Sequence, residues 1–167
     1  MKERELNNVL REQARNLGLC DKWYDGWDKE SSEQDLIDKY LKGIDFCIKH
    51  DYPALSFIKE HFSKDRLMMN GIFVGDIVDT SNVQTVILLG DSSGVARYDG
   101  LHAGNVYVRH TSQLTIEASG GSRVFVEAWE NCKLHVVSTG ASKVFVYWHG
   151  GEVTKQGNVT IRDKRAG

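Results

Sequence analysis

Six histidines, His50, His61, His102, His110, His135 and His149, are the side chains best suited to move a proton or hold a metal near neutral pH. Their spacing matches none of the common devices. No pair follows the HExxH or HxH pattern that brings two imidazoles onto one metal. Cys20, Cys47 and Cys132 show no CxxC spacing, so a zinc site is not expected, nor is a disulfide framework. Asp91-Ser92 and Asp99-Gly100 read first as turns and only second as metal ligands. The chain has no Walker loop, no GxSxG elbow and no Rossmann fingerprint. Paired carboxylates for glycoside chemistry are defined by their separation in space, which a sequence does not give. The reading is a chain without a catalytic constellation, cofactor or metal. A β-helix hydrolase or lyase is the enzymatic alternative. His135 is expected on an outward sheet face and His149 in a corner.

The aromatic residues carry more information. Tyr107, Phe125 and Phe145 recur at close to twenty residues, and Arg109, Glu127 and Tyr147 follow two residues after each. On a sheet whose strands repeat at that interval they form an outward aromatic column with a charged rim. Such a patch is seldom left bare on a soluble protein. It is covered by the N-terminal helices, meets the same column in a second subunit, or stacks a planar ligand. A second cluster, Trp23, Tyr24 and Trp27, lies within five residues. It is expected to pack inward and pin two helices together. The alternative is a platform for a ligand or partner.

The elements that position these residues are legible in a period of ten. Residues 111–150 divide into TSQLTIEASG, GSRVFVEAWE, NCKLHVVSTG and ASKVFVYWHG. The fourth and sixth residue of each ten is aliphatic: Leu114 and Ile116, Val124 and Val126, Leu134 and Val136, Val144 and Val146. The second is small: Ser112, Ser122, Cys132, Ser142. Apolar alternation of period two marks a short strand with one buried face, and a fixed internal period marks a repeat architecture. The phenylalanines return only every second ten, which an antiparallel meander or sandwich does not explain. A parallel β-solenoid with two tens per coil does, and it also stacks Thr115 on His135. Strand cores begin at Ile72 with irregular spacing, and Val159–Ile161 closes the array before a polar tail.

Residues 1–70 have the other period. Leu6, Val9, Leu10, Ala14 and Leu17 form one stripe of a helix over 2–17, stopped at Gly18. Ser31 or Ser32 caps a second helix that runs to about His50, with Gly43 as an internal cost. Shorter helices follow over 53–62 and from Ser63 to Gly71. The fold class is therefore α+β: a helical domain over 1–70 and a β-solenoid over 71–167. No helix carries the clustered Arg, Asn or Gln of a DNA-reading face. The net charge of −2 gives no basic excess, so duplex nucleic acid is not an expected partner. No apolar run approaches a membrane span, and MKERE does not begin a signal peptide.

The strings LREQARNLGLC, LIDKYLKGIDFCIKHDYP, FIKEHF, GIFV and VYVRHTSQLTIEASGGSRVFVEA resemble an uncharacterised family of small proteins encoded by phages and mobile elements of gut Bacteroidetes. The repeat half is similar in pattern to bactofilins and other small β-solenoids. The resemblance implies the cytoplasm of a bacterial host, or association with a virion. The expected function is non-enzymatic: a phage-related binding or assembly protein built on an oligomerising solenoid, dimer or trimer, with a phage or host protein as further partner. The alternative is a counter-defence protein that sequesters a small nucleotide signal or binds a host immune protein.

Overall fold

In the computed structural model, residues 2–28 and 31–165 are described. Lys29 and Glu30 of the aromatic segment, and Ala166 and Gly167 of the polar tail, lie outside them. The chain divides into two compact units, Met1–Leu67 and Met68–Gly167.

The first unit is helical. Helix α1 (Glu3–Asn16) buries Leu6, Leu10 and Ala14 of the predicted stripe, with Asn7 beside them; Val9 is half-buried, and Leu17, the C-cap, is exposed. It ends in a Schellman turn: Gly18, at φ 99°, donates its N–H to the Arg15 carbonyl, and Leu19 donates to Ala14. A short α2 (Asp21–Asp25) occupies the aromatic segment that the sequence leaves as a loop. Ser32 caps α3 (Glu33–Lys42) through a capping box with Asp35. The helix expected to run on to His50 is broken at Gly43, and α4 (Ile44–His50) is a separate element. Gly43 sits at φ −100°, ψ 28°, outside helical space, so the glycine acts as a break and not merely as a cost. Helices α5 (Leu55–His61) and α6 (Lys64–Met69) follow. A core of Leu6, Leu10, Ala14, Trp27, Leu36, Cys47 and Tyr52 holds the unit. Tyr52 donates its hydroxyl to the Leu10 carbonyl at 2.6 Å, tying the chain after α4 back to α1.

The second unit is a β-solenoid, and every strand pair in it is parallel. Strands β1 (Ile72–Val74), β3 (Thr85–Leu89), β5 (Ala103–Val108), β7 (Arg123–Ala128), β9 (Lys143–Trp148) and β11 (Val159–Asp163) form one sheet in that order. Strands β2 (Ile77–Ser81), β4 (Ser93–Tyr98), β6 (Gln113–Ala118), β8 (Lys133–Ser138) and β10 (Glu152–Gly157) form the other. Each coil lays one strand on each sheet, and in the regular coils each strand pairs with the strand twenty residues away: Val124 lies beside Val144, and Leu114 beside Leu134. The first and last coils are shorter, with Ile72 beside Ile87 and Val159 beside Val144. The antiparallel meander is excluded. In the regular tens the residues at positions four and six point inward and are buried, as are Ala118, Ala128 and Ser138 at position eight; Trp148 at that position of the last ten is half-buried.

The corners explain why position two is small. The chain reverses through a four-residue turn closed by backbone bonds such as Ser112 N–H to the Arg109 carbonyl and Ser142 N–H to Thr139. The second turn residue takes positive φ: 58°, 63° and 64° at Gly100, Gly120 and Gly140, but also 56° and 53° at His110 and Glu130. The position-two hydroxyl, fully buried, then satisfies carbonyls of its own turn and of the coil before. Ser142 Oγ lies 2.7 Å from the Thr139 oxygen and 3.1 Å from that of Ala118. A larger side chain at this position would displace the neighbouring coil.

One coil solves its interior differently. Tyr98, 1% exposed, fills the position that Ala118 takes in the next coil, and donates its hydroxyl to the Val83 carbonyl at 2.7 Å. Gly104 replaces the valine found at Val124, because a Cβ there would sit 2.4 Å from the Tyr98 ring. The last coil is closed by a charge. Lys155 stands in register with core residue Val136, and its ammonium donates to the Val159 carbonyl at 3.1 Å. Val153 and Ile161 pack beneath, and Arg165 lies 3.5 Å over the Trp148 ring.

Candidate functional site

The outward face of the β1–β11 sheet carries three parallel columns. Position three contributes Ala103, Arg123 and Lys143. Position five contributes Asn105, Phe125 and Phe145. Position seven contributes Tyr107, Glu127 and Tyr147. Phe125 and Phe145 are stacked, with centroids 5.3 Å apart and planes 14° from parallel. Phe125 remains 41% exposed. Consecutive coils place like residues one strand spacing apart, about 4.8 Å, which is the separation two aromatic rings need to stack.

This arrangement corrects the expected column in two places. Tyr107 does not stack on Phe125; it lies beside Glu127, and Asn105 heads the phenylalanine column. The repeat is twenty residues, and Tyr107 to Phe125 is two short of it. Arg109 is not on the outward rim at all. It is 3% exposed, in the corner after β5, where its guanidinium grips Glu130 through two 2.9 Å bonds. Phe125, Glu127, Phe145 and Tyr147 lie together on the face as expected.

The corner beside this face holds residues that the sequence reading passed over. Arg109, Trp129 and His149 recur at intervals of twenty, one per coil. The Arg109 guanidinium lies 5.5 Å over the Trp129 ring, and Trp129 stacks on His149 at 3.9 Å and 7°. Trp129 donates its indole N–H to Glu127 at 3.2 Å, and His149 Nε2 lies 3.6 Å from the same carboxylate oxygen. Burial, with Lys164 adding to it, holds the His149 pKa below the ordinary imidazole value, so the ring is neutral at pH 7. The stack is a rigid buttress that fixes Glu127 at the edge of the aromatic face. The signal for it was the twenty-residue spacing of unlike residues.

The opposite sheet has a polar face. Thr115 and His135 stack as expected, and His135 Nδ1 lies 2.6 Å from Thr154 Oγ1. With Gln113, Lys133 and Glu152 they line a shallow open groove. Next to it Arg97 bridges Asp79 and Glu117 at 2.9 and 3.1 Å, all on the solvent side. Among the described residues, no group of three or more His, Cys, Asp or Glu side chains is placed to hold a metal.

In the helical unit the aromatic cluster separates. Trp27 is 8% exposed, and its indole N–H donates to Asn7, a fully buried amide that in turn donates to the Asp28 carbonyl. Tyr24 lies at the surface between Arg11 and Arg15, whose guanidinium carbons stand 3.8 and 4.4 Å from its ring. Trp23 is 41% exposed. Only Trp27 packs inward as expected. Trp23 lies within α2, whereas Trp27 follows its C-cap Gly26, so their spacing of four does not place them on one helical face. No protein family, curated protein or solved structure matches this chain.

Proposed function

We propose that the protein is a non-enzymatic binding and assembly protein, phage-related in its setting, and that the outward face of the β1–β11 sheet is its assembly surface. The observation that carries this reading is the exposed Phe125–Phe145 stack at the centre of a rigid face. An aromatic centre with an arginine-containing rim is the composition of a specific interface. Arg123 and Lys143 supply that rim on one side, and Glu127 with two tyrosines on the other. A face of this kind meeting its own copy closes about a symmetry axis.

The sequestration of a small nucleotide is the second reading, and the polar groove favours it by offering Lys133 and His135. Glu152 lies in register with Lys133, so the groove lacks the net positive field that a phosphate requires. Assembly is the stronger reading. Sedimentation across a concentration series tests it, on wild type and on Phe125→Asp with Phe145→Asp. We expect an oligomeric wild type and a folded monomeric variant. A monomeric wild type overturns the reading, as does an oligomer that the double substitution leaves intact.

A further inference from the structure

The three columns of the aromatic face do more than mark it as a surface; they select one way for two copies to meet. Resting on the assembly reading above, we propose that the protein forms a dimer whose two-fold axis runs parallel to the stacking direction of the coils.

Two identical sheets in face-to-face contact are related by a two-fold axis lying in the contact plane. There are two simple choices, along the coil stack or along the strands. An axis along the strands keeps each column facing its own kind and reverses the order of the coils. The column of Arg123 and Lys143 then faces the same column of the other copy, and the Glu127 column faces itself. With that axis between β7 and β9, Arg123 faces the partner's Lys143 and Glu127 faces the partner's Tyr147, so the cationic flank opposes itself and the carboxylate meets no cation, which costs affinity. An axis along the coil stack does the opposite. It exchanges left and right columns and keeps each coil at its own level. Arg123 and Glu127 belong to one strand, β7, two positions either side of Phe125. Arg123 therefore faces the partner's Glu127, and the symmetric contact repeats on the other side. Phe125 meets the partner's Phe125, and Phe145 meets the partner's Phe145.

The acidic partner in this contact is already held in place. Glu127 accepts the Trp129 indole N–H and is braced by the Trp129–His149 stack, and a quarter of its side chain is exposed. Arg123 is exposed. A fixed carboxylate opposite a free guanidinium loses little side-chain entropy on pairing. Phe125 is the next outward residue on the same strand and Phe145 lies beside it on β9, so the ion pair forms at the rim of a region from which water is expelled.

Two experiments test the geometry. Arg123→Glu places two glutamates against two glutamates and should weaken the dimer by about a hundredfold or more. Arg123→Glu combined with Glu127→Arg restores opposite charge at both contacts and should restore the dimer. The second experiment avoids dependence on a variant that loses the Trp129 bond. In a Cys20→Ser background, Asn105→Cys and Thr160→Cys each add one thiol in the central column, several coils apart. A short bismaleimide should link residue 105 to 105 and residue 160 to 160. A linkage of 105 to 160 in mixed samples, without the self-links, would overturn the axis and leave assembly standing. So would a wild-type dimer that gives neither self-link. A monomeric wild type would instead overturn the assembly reading on which the axis depends.

Discussion

The Tyr98–Gly104 pair makes a prediction whose sign depends on context. Placing a methyl group at Gly104 brings it to 2.4, 2.5 and 2.7 Å from Cε1, Cζ and Oη of Tyr98. The ring has little room to retreat, being 1% exposed and tied by its hydroxyl to the Val83 carbonyl. Overpacking of this kind costs about 1–3 kcal/mol. Alanine regains only about 0.5–1 kcal/mol over glycine through backbone entropy. Gly104→Ala should therefore destabilise the solenoid by about 1–2 kcal/mol, and Gly104→Val by more. Tyr98→Ala alone leaves a cavity and should cost about 3–5 kcal/mol. Together, Tyr98→Ala and Gly104→Val reproduce the Ala118 and Val124 of the next coil. In the Tyr98→Ala background, then, Gly104→Val should stabilise. Denaturant unfolding of the four proteins, read by circular dichroism, gives the double-mutant cycle. If Gly104→Val costs the same in both backgrounds, the two residues are not sharing one space and the reasoning fails.

Four further outcomes follow. Trp27→Ala should cost about 3–5 kcal/mol in the helical unit, whereas exposed Trp23→Ala should stay within about 0.5 kcal/mol; equal melting temperatures would refute the separation of the two. Burial pushes the Tyr98 hydroxyl from 10 up to about 12, so its contribution to stability is complete below pH 10 and is lost as pH rises through 12. Alkaline unfolding of the solenoid should begin in that window and should lose this component in Tyr98→Phe. His149 is shifted the other way, so its contribution is present above the ordinary imidazole pKa and is lost as pH falls below about 6.5; a tryptophan fluorescence titration of the Trp129–His149 stack reads it. Cys47 and Cys132 are buried and the Cys132 thiol is raised to about 11, while Cys20 is exposed. A thiol reagent should modify one cysteine in the folded protein and three after denaturation.

The solenoid was legible because each strand obeys two local demands at once. Alternate residues must be apolar, and the residue that turns the corner must be small enough to let the next coil approach. Those demands repeat in residues 111–150 with little variation. They are weakest where Gly104 and Tyr98 exchange volume, and there the sequence reading slipped by two residues and placed Tyr107 in the wrong column. The buttress of Arg109, Trp129 and His149 was missed for a different reason. Its members differ in type, and what they share is stacking, which becomes visible only when the coils are laid over each other. In the helical unit the stripe of α1 could be read from its period. The break at Gly43 could not, since glycine in a helix is a cost that packing either absorbs or does not. Trp23 and Trp27 look equivalent in the sequence because nothing there reveals that a buried Asn7 waits to accept the indole N–H of Trp27 alone.

The lysine that closes the final coil has a consequence for how such a chain can change in length. Lys155 stands in register with Val136 and donates to the Val159 carbonyl, so the contacts that close this coil lie at its own level. The regular twenty-residue coils before it share one strand register and one corner geometry. Duplication or loss of one coil, say residues 113–132, would join like corner to like corner and leave the terminal seal untouched. The number of stacked rings on the aromatic face would grow or shrink with it. Valency is thus adjustable in steps of one coil, by a single genetic event and without redesign of the fold.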